Sequence, residues 1–421
     1  MSKKLLKNIS SLTIIHGFNY FLSLAIIPYL LVIYGSENWG KLVFLQTFAN
    51  YFIWLTDWGF NTGGIKKISE SRVSSNDTHS LFFNYWLGQW IILFFALLLM
   101  FIIVLFFPNY TYGIDKSLFT LSSLLVLSNV IFPAWYFKGL EQVMESAFFQ
   151  FLPKVFNVIF ILLFIKNSND LFGYILIISV ISILVAIFAT IFMFYRNNMT
   201  FIRPTFKKAL KLLGEDFVWV RVNSISSLSS IIIPTYLGLI GQLSELAFFN
   251  IADKIKSAAI IVLHPISHSL YPRMSYLFKV SFKEAFSLAK MSFILLFSLS
   301  GLFSIFIFIF SENILFFFGG KDFILASNFL RIISFIPLIS TINNFFVEQL
   351  IIPNSDGKFI EKGNFIKFLV VCISILPLHK NYGISGIGYL LVSAEGFILF
   401  INAYKVNNLH IFLGKSKSDS N

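Results

Sequence analysis

Long apolar stretches recur along the whole chain and are separated by short polar joints. A helix of about 20 apolar residues spans the hydrocarbon core of a bilayer and pairs its backbone polar groups internally. Aliphatic, aromatic and cysteine residues make up 57% of the 421 residues, whereas charged residues make up only 12%. The mean hydropathy is +0.80. The pattern therefore predicts an all-α, polytopic membrane protein.

The apolar stretches predict twelve transmembrane helices. Their predicted bounds are 11–33, 42–61, 82–107, 118–138, 146–165, 172–195, 217–240, 246–266, 286–310, 323–346, 363–379 and 384–405. An even number of spans puts both termini on one side of the membrane. When a residue near a span end is counted with the adjoining loop, 23 of the 32 basic residues fall on the side of the termini, 5 fall on the other side and 4 lie deep inside spans. Because basic loop residues collect on the cytoplasmic side, both termini are expected in the cytoplasm.

A short motif occurs twice, about half a chain apart. An Ile-Ile-Pro triplet ending at Pro28 is followed by Gly35, and the same triplet ending at Pro234 is followed by Gly241. The offset is 206 residues in both cases. Each copy lies near the outer end of the first helix of a six-helix set. The repeat therefore indicates two parallel six-helix halves around a central cavity.

The predicted halves are residues 1–200 and 201–421. A basic loop joins them and contains an amphipathic stretch, 206–213, with three lysines. Such a stretch is typical of a linker that lies on the anionic inner leaflet, so membrane lipids are expected contacts.

Several segments resemble the O-antigen (Wzx-type) flippases, polysaccharide-unit transporters of the multidrug/oligosaccharidyl-lipid/polysaccharide exporter superfamily. The segment Thr56–Asn61 reads Thr-Asp-Trp-Gly-Phe-Asn, and Pro133–Glu141 follows the family pattern except at Lys138, where glutamine is expected. The remaining matching segments are Ile27–Leu30 with Gly35, Glu37–Gly40, Phe249–Ile255 and Tyr271–Ser275. The resemblance covers essentially the whole chain.

The resemblance implies a MATE-like fold and a flippase for an undecaprenyl-diphosphate-linked oligosaccharide in the bacterial inner membrane. Two halves would open a central cavity alternately to each side. The implied partners are the lipid-linked oligosaccharide and, beside the flippase, polysaccharide polymerase and chain-length machinery. Such a cavity needs cations for the diphosphate and polar or aromatic groups for the sugars.

Six charged side chains are placed near the middle of predicted spans, where a charge costs about 2.5–3.5 kcal/mol unless it has a partner or water. Four are basic and are the candidates for binding the diphosphate: Lys154, Lys254, Lys256 and Arg331. Two are acidic, Asp253 and Glu395, and are candidates for coupling to H+ or Na+ or for charge pairing. A net positive interior suits a diphosphate.

Structural roles compete with these assignments. Asp253 and Lys256 are three residues apart and can neutralise each other on one helix face, and Glu395 can pair with Arg331. Asp57 is a candidate gate residue near the inner end of the second helix, or a helix-end residue that fixes the following loop. Glu141 is a second gate candidate, or an inner loop contact.

Other functions are less consistent with the sequence. The single cysteine, Cys372, excludes an intramolecular disulfide, and the His264/His268 pair encloses a proline without a third ligand nearby, so no metal site is expected. No catalytic constellation, cofactor motif or nucleic-acid signature is found, so no enzyme is expected. A multidrug or cation antiporter of the same fold is the nearest alternative, and a membrane polysaccharide polymerase or acyltransferase is the more distant one.

Overall fold

A computed structural model of the chain describes residues 22–72, 75–106, 110–111, 113–354 and 358–408. The start of the first predicted helix, residues 11–21, lies outside these ranges, as do the basic residues of both terminal tails. The chain divides into two compact units, Met1–Leu246 and Ala247–Asn421. The predicted halves, 1–200 and 201–421, rest on the sequence repeat, and that division stays a prediction.

The described part of the first unit contains eight helices, a π-helical turn (Phe60–Gly64) and a hairpin of two short strands with two residues each. Strand β1 (Tyr110–Thr111) pairs antiparallel with β2 (Ile114–Asp115). The helices are α1 (Ile27–Asp57), α2 (Ile65–Ser71), α3 (Ser75–Phe106), α4 (Lys116–Ile131), α5 (Ala134–Gly139), α6 (Val143–Phe164), α7 (Leu171–Arg196) and α8 (Phe206–Leu239).

Helix α9 (Leu243–Val280) begins at the end of the first unit and belongs mostly to the second. The second unit contains a 3₁₀ helix (Lys321–Ala326) and a π-helical segment (Phe346–Ile351). Its remaining described helices are α10 (Phe282–Gly319), α11 (Ser327–Ile333), α12 (Ile336–Phe345), α13 (Ile352–Asn354) and α14 (Lys358–Asn408).

Glycine and proline set the breaks in the long helices. Pro28 occupies the first turn of α1, where its missing N–H costs no helical hydrogen bond. Within the same element Gly35 has φ 64°, and in α14 Gly383 has φ 58°. These are left-handed conformations that glycine adopts without strain. Each lies in a predicted joint between two spans, so both joints are seen as helix breaks.

Seven helices among the described residues are long and apolar enough to cross a membrane. The longest of them, Lys362–Asn408, contains two predicted spans, 363–379 and 384–405, on either side of the Gly383 break. Many large apolar side chains on these helices are exposed, for example Phe94, Phe101 and Phe106 on α3. Such side chains are stable when they face lipid. The prediction of an all-α polytopic membrane protein is confirmed, while the count of twelve spans stays a prediction.

Two predicted spans are interrupted. The span predicted at 118–138 ends as α4 at Ile131 and resumes as α5 after Pro133, because proline cannot donate the helical hydrogen bond. The span predicted at 323–346 is divided into a 3₁₀ segment, α11 and α12. Pro337, in the first turn of α12, marks the last of these junctions.

An aromatic core of the first unit lies between α3, α5 and α8. Phe82, Trp135 and Tyr136 are almost fully buried there and pack ring against ring, with Phe82 and Trp135 centroids 5.9 Å apart. The amphipathic stretch at the start of α8 packs beside this core. Its Leu213 belongs to the same cluster, whereas Lys207 and Lys211 are exposed.

Candidate functional site

A cavity of about 470 Å³ lies within the first unit, between α1, α4, α6 and α7. Its walls carry side chains from the interior turns of these helices, at positions that all fall inside predicted spans. Five of the lining side chains are amides: Gln46, Asn50, Asn129, Gln150 and Asn157. Hydroxyl groups come from Ser128, Ser182 and Tyr174. Polar groups in such number are costly at hydrocarbon depth, so the cavity is the strongest candidate for a binding site in this unit.

The polar groups around the cavity are only partly engaged with the protein. Gln46 Nε2 donates to the Tyr174 hydroxyl at 3.4 Å, and Gln150 Nε2 donates to Ser146 Oγ at 3.0 Å. Asn157 Oδ1 is buried and has no hydrogen-bond partner among the described residues. A buried acceptor without a donor costs about 1–3 kcal/mol. The cavity therefore offers hydrogen-bonding capacity that a polar guest can use.

Helix α6 is weakened where it forms the cavity wall. Pro153 lies inside the helix and lines the cavity. Because proline has no backbone N–H, the helical hydrogen bond to the Phe149 carbonyl cannot form. Phe149 lines the same cavity. The proline thus leaves the Phe149 carbonyl without its usual helical donor.

Every residue that lines this cavity is uncharged. The amides were not predicted as site residues, because only the charged residues of the spans stood out in the sequence. The signal was present, because Gln46 and Asn50 are one helical turn apart, and Gln150 and Asn157 are two turns apart. Lys154 lies on the same helix and is half-buried, but it is not among the residues that line the cavity.

The second unit holds the other predicted charged residues. Lys256 Nζ forms an ion pair with Asp253 Oδ1 one turn away on α9. The Lys256 side chain is 16% exposed and that of Asp253 is 39% exposed, so the lysine is the more buried partner. Lys254, between them, is half-buried. The structure therefore contains the local pairing that competes with diphosphate binding, and both roles for these residues stay predictions.

Arg331 is held by two groups at the end of α10. Its Nε donates to Ser311 Oγ at 2.9 Å, and its Nη2 donates to Glu312 Oε1 at 2.8 Å. The arginine lines a cavity of about 660 Å³ within the second unit, whose other walls are mostly apolar and include Phe308 and Tyr389.

Glu395 pairs with Lys367 rather than with Arg331. Its Oε1 pairs with Lys367 Nζ, and Asn343 Nδ2 donates to the Glu395 backbone carbonyl at 3.2 Å. The interpretation in which Glu395 pairs with Arg331 is wrong. Lys367 lies 28 residues before Glu395 on the other side of the Gly383 break, and the return of the chain at that break brings them together.

The two gate candidates lie in the first unit and contact neighbouring segments of it. Asn61 Nδ2 donates to Asp57 Oδ1 at 2.5 Å, and Lys138 Nζ donates to Asn61 Oδ1 at 3.2 Å. The lysine that departs from the family pattern therefore joins the loop after α1 to α5. These contacts are those of a helix-end residue that fixes a loop, and a gate role for Asp57 stays a prediction.

Glu141 lies in the turn between α5 and α6 with φ 60°, an unusual conformation for a residue other than glycine. Arg72 Nη2 donates to Glu141 Oε1 at 3.0 Å. This hydrogen bond and the charge of the Arg72 guanidinium lower the pKa of the exposed Glu141 carboxyl. The contact links α2 to the turn before α6, and a gate role for Glu141 likewise stays a prediction.

The fold and these sites define a class, the all-α multi-pass membrane proteins with the fold of the MATE transporters. The inward-facing multidrug-resistance MATE transporter of the MOP superfamily aligns over 96% of both chains, with a TM-score of 0.67 and 13% identity. The inward closed form of the lipid II flippase MurJ aligns over 94% of this chain and 87% of its own, with a TM-score of 0.68 and 15% identity.

A family model described as "Polysaccharide biosynthesis protein" matches residues 5–278, and the chain belongs to that family. The "Putative O-antigen transporter" of Escherichia coli (strain K12) is 24% identical over 405 residues, which cover 96% of each chain. The protein of the same name from Shigella dysenteriae is 21% identical over 93% of this chain and 98% of its own. These names describe transporters rather than enzymes, in agreement with the sequence-based expectation, and the predicted family resemblance is confirmed.

Proposed function

We propose that this protein is a flippase for an undecaprenyl-diphosphate-linked oligosaccharide, the repeat unit of an O-antigen or a similar surface polysaccharide. The observation that carries the proposal is the uncharged, amide-lined cavity in the first unit, whose lining residues all fall inside predicted spans. Lipid acyl chains cannot use amide hydrogen bonds, whereas sugar hydroxyl groups both donate and accept them. The family and the names of the relatives support the same substrate class.

The transport cycle that we propose is alternating access across the bacterial inner membrane, with both termini in the cytoplasm. Lys154, Lys254, Lys256 and Arg331 are proposed to bind the diphosphate at successive stages. Asp253 and Glu395, each of which forms an ion pair with a lysine, are proposed to couple transport to H+ or Na+. Polysaccharide polymerase and chain-length machinery are the proposed partners on the outer side.

A multidrug or cation antiporter has the same fold, and the polarity of the first-unit cavity weighs against it. A site for organic cations would be expected to contain a carboxylate, but the residues lining this cavity include none.

The test is a strain that lacks this protein. We expect lipid-linked repeat units to accumulate at the inner face of the membrane and surface polysaccharide to disappear, with both restored by the wild-type gene. Unchanged surface polysaccharide in the deletion strain would exclude the flippase. A variant of the protein that does not reach the membrane is the negative control. If it restored surface polysaccharide to the deletion strain, the assay would not report transport.

A further inference from the structure

The charge of the first-unit cavity limits which sugars it can hold. Its lining offers amide and hydroxyl groups but no lysine, arginine or histidine. A carboxylate or phosphate moved from water into such a site loses hydration and gains no counter-charge, which costs several kcal/mol. An uncharged sugar residue pays no such cost. The lining therefore discriminates against acidic sugars such as uronic acids.

Asn157 gives a second reason to expect uncharged sugars. Its side-chain oxygen is buried and has no hydrogen-bond partner among the described residues. Because Asn157 lines the cavity, a rotation of its amide would turn this oxygen toward the cavity, where a hydroxyl or an acetamido N–H of a sugar would donate to it. A sugar carboxylate is an acceptor only, and placing it against Asn157 Oδ1 sets two acceptors against each other. The orientation of this single amide therefore favours the same class of ligand as the overall charge.

The rest of the wall suits the apolar faces of a sugar ring. Phe149, Tyr174 and Ile178 line the cavity beside the amides, and each of the three is at least nine-tenths buried. The volume of about 470 Å³ lies within the range of about 300–1,000 Å³ typical of small-molecule sites. A few polar groups among apolar walls fix the orientation of a ligand in such sites.

We propose that this cavity is the sugar-recognition site of the transporter, that it selects uncharged and N-acetylated sugar residues over acidic ones, and that Asn157 is a specificity-determining residue. This inference rests on the proposed function. It assigns the sugar part of the cargo to the first unit, where Lys154 is the one residue among those proposed for the diphosphate.

The experiment measures binding of two free monosaccharides to the purified full-length protein in detergent by saturation-transfer NMR. N-acetylglucosamine is the uncharged probe and glucuronic acid is the acidic probe of similar size. We expect N-acetylglucosamine to bind the wild-type protein at least tenfold more tightly than glucuronic acid. Equal or reversed preference, or binding of neither probe, would overturn the inference.

Variants assign the preference to the cavity. Asn157→Leu keeps the size of the side chain and removes its acceptor, so N-acetylglucosamine should bind about tenfold more weakly. Gln150→Lys adds a cation to the lining and should strengthen glucuronic acid binding. This second variant keeps the test valid if Asn157→Leu folds poorly. Asn407→Leu, at an exposed position near the end of α14, is the matched control and should change neither affinity. Unchanged binding in both cavity variants would sink the proposal.

The outcome can be separated from that of the proposed function. If the deletion strain accumulates lipid-linked repeat units but neither cavity variant alters sugar binding, the flippase assignment stands and this site assignment is wrong. If the deletion strain makes normal surface polysaccharide, the flippase assignment is wrong, and any sugar preference then describes a site with a different use.

Discussion

The Tyr85 hydroxyl donates a hydrogen bond of 2.8 Å to Asp216 Oδ2, in the interior of the first unit. The Asp216 side chain is only 1% exposed, and Lys67 Nζ lies 3.3 Å from its other carboxylate oxygen. The same ammonium group lies 5.7 Å from the centroid of the Tyr85 ring. One buried carboxylate thus joins α2, α3 and α8. The basic linker predicted from the sequence is therefore attached to the first unit by specific polar contacts.

Removing this carboxylate should destabilise the first unit. Asp216→Ala leaves the buried Tyr85 hydroxyl and the half-buried Lys67 without their shared acceptor. Because Lys67 keeps its contact with Glu215, the cost should be about 3 kcal/mol, the lower end of the range for breaking a buried charge pair. Tyr85→Phe removes only one hydrogen bond to a charged group and should cost about 1.5–3 kcal/mol. Thermal unfolding of the detergent-purified variants measures both effects.

The matched control for this comparison is Lys211→Ala. The Lys211 side chain is 77% exposed and its ion pair with Glu215 is 3.9 Å long, so its loss should be nearly neutral. Equal melting temperatures for Asp216→Ala and Lys211→Ala would show that the buried contact does not stabilise the unit.

The neighbouring Glu215 should stabilise the first unit at neutral pH but not in acid. The pKa of the Glu215 carboxyl is lowered by a 2.6 Å hydrogen bond from Lys67 and by the charges of Lys67 and Lys211. Burial opposes this shift in part. A carboxyl whose pKa is lower in the folded state stabilises the fold above its unfolded pKa of about 4.3. That contribution disappears as the pH falls through the lower, folded value. Lys67→Met should therefore flatten the acid side of the stability curve.

The measurement is the melting temperature of the wild type and of Lys67→Met between pH 3.5 and 7. The difference between the two proteins should be largest near neutral pH and shrink in acid. A difference that stays constant over the whole range would contradict the pKa assignment.

The broad architecture could be predicted because it depends on local sequence. Apolar length sets the spans, and glycine and proline set their breaks. The two glycines of the repeated motif also agree in backbone conformation about φ, which is 64° at Gly35 and 77° at Gly241. Both glycines therefore have a positive φ at the end of a helical segment. The two turns also meet, because Ser36 Oγ lies 3.4 Å from Ser244 Oγ.

The partners of the charged residues could not be predicted, because they depend on which helices the fold brings together. Arg331 contacts Glu312 only because the chain reverses at Gly320, where φ is 70°. Sequence spacing gave the i,i+3 pair Asp253 and Lys256, which is a local relationship. The lining of the first-unit cavity comes from four helices, and no single segment reveals that these amides converge.

Gly40 is a position where close packing rather than backbone conformation requires glycine. A Cβ atom placed there would lie 1.9 Å from the Leu243 backbone carbonyl oxygen, and backbone cannot move aside cheaply. Gly40→Ala should therefore destabilise the first unit by about 1–3 kcal/mol. Gly301→Ala is the control, because a Cβ there meets nothing within 4 Å. In a helix interior that change should be neutral or stabilising by up to about 1 kcal/mol.

Melting temperatures of the two purified alanine variants distinguish packing from a general effect of adding a methyl group. A lower melting temperature for Gly40→Ala alone is the expected result. If both variants melt like the wild type, the contact between α1 and the start of α9 is looser than described.

The Asp253–Lys256 pair allows binding of cargo to be separated from structural pairing. Asp253→Asn alone leaves the lysine, which is only 16% exposed, without its counter-charge, so the amount of protein in the membrane should fall. The double variant Asp253→Asn/Lys256→Met removes both charges and should restore the amount to near the wild-type level. If Lys256 binds the diphosphate as proposed, export of surface polysaccharide by the double variant should still fall about tenfold or more.

The matched control is Lys66→Met/Glu70→Gln, which neutralises an exposed pair on α2 whose side chains are both 64% exposed, and should change neither quantity. Quantitative immunoblots of membranes give the amount of protein, and surface polysaccharide per transporter gives the activity. If the double variant exports at the wild-type rate, the pair serves only to neutralise charge on α9, and the diphosphate must be bound by the remaining basic residues, Lys154, Lys254 and Arg331.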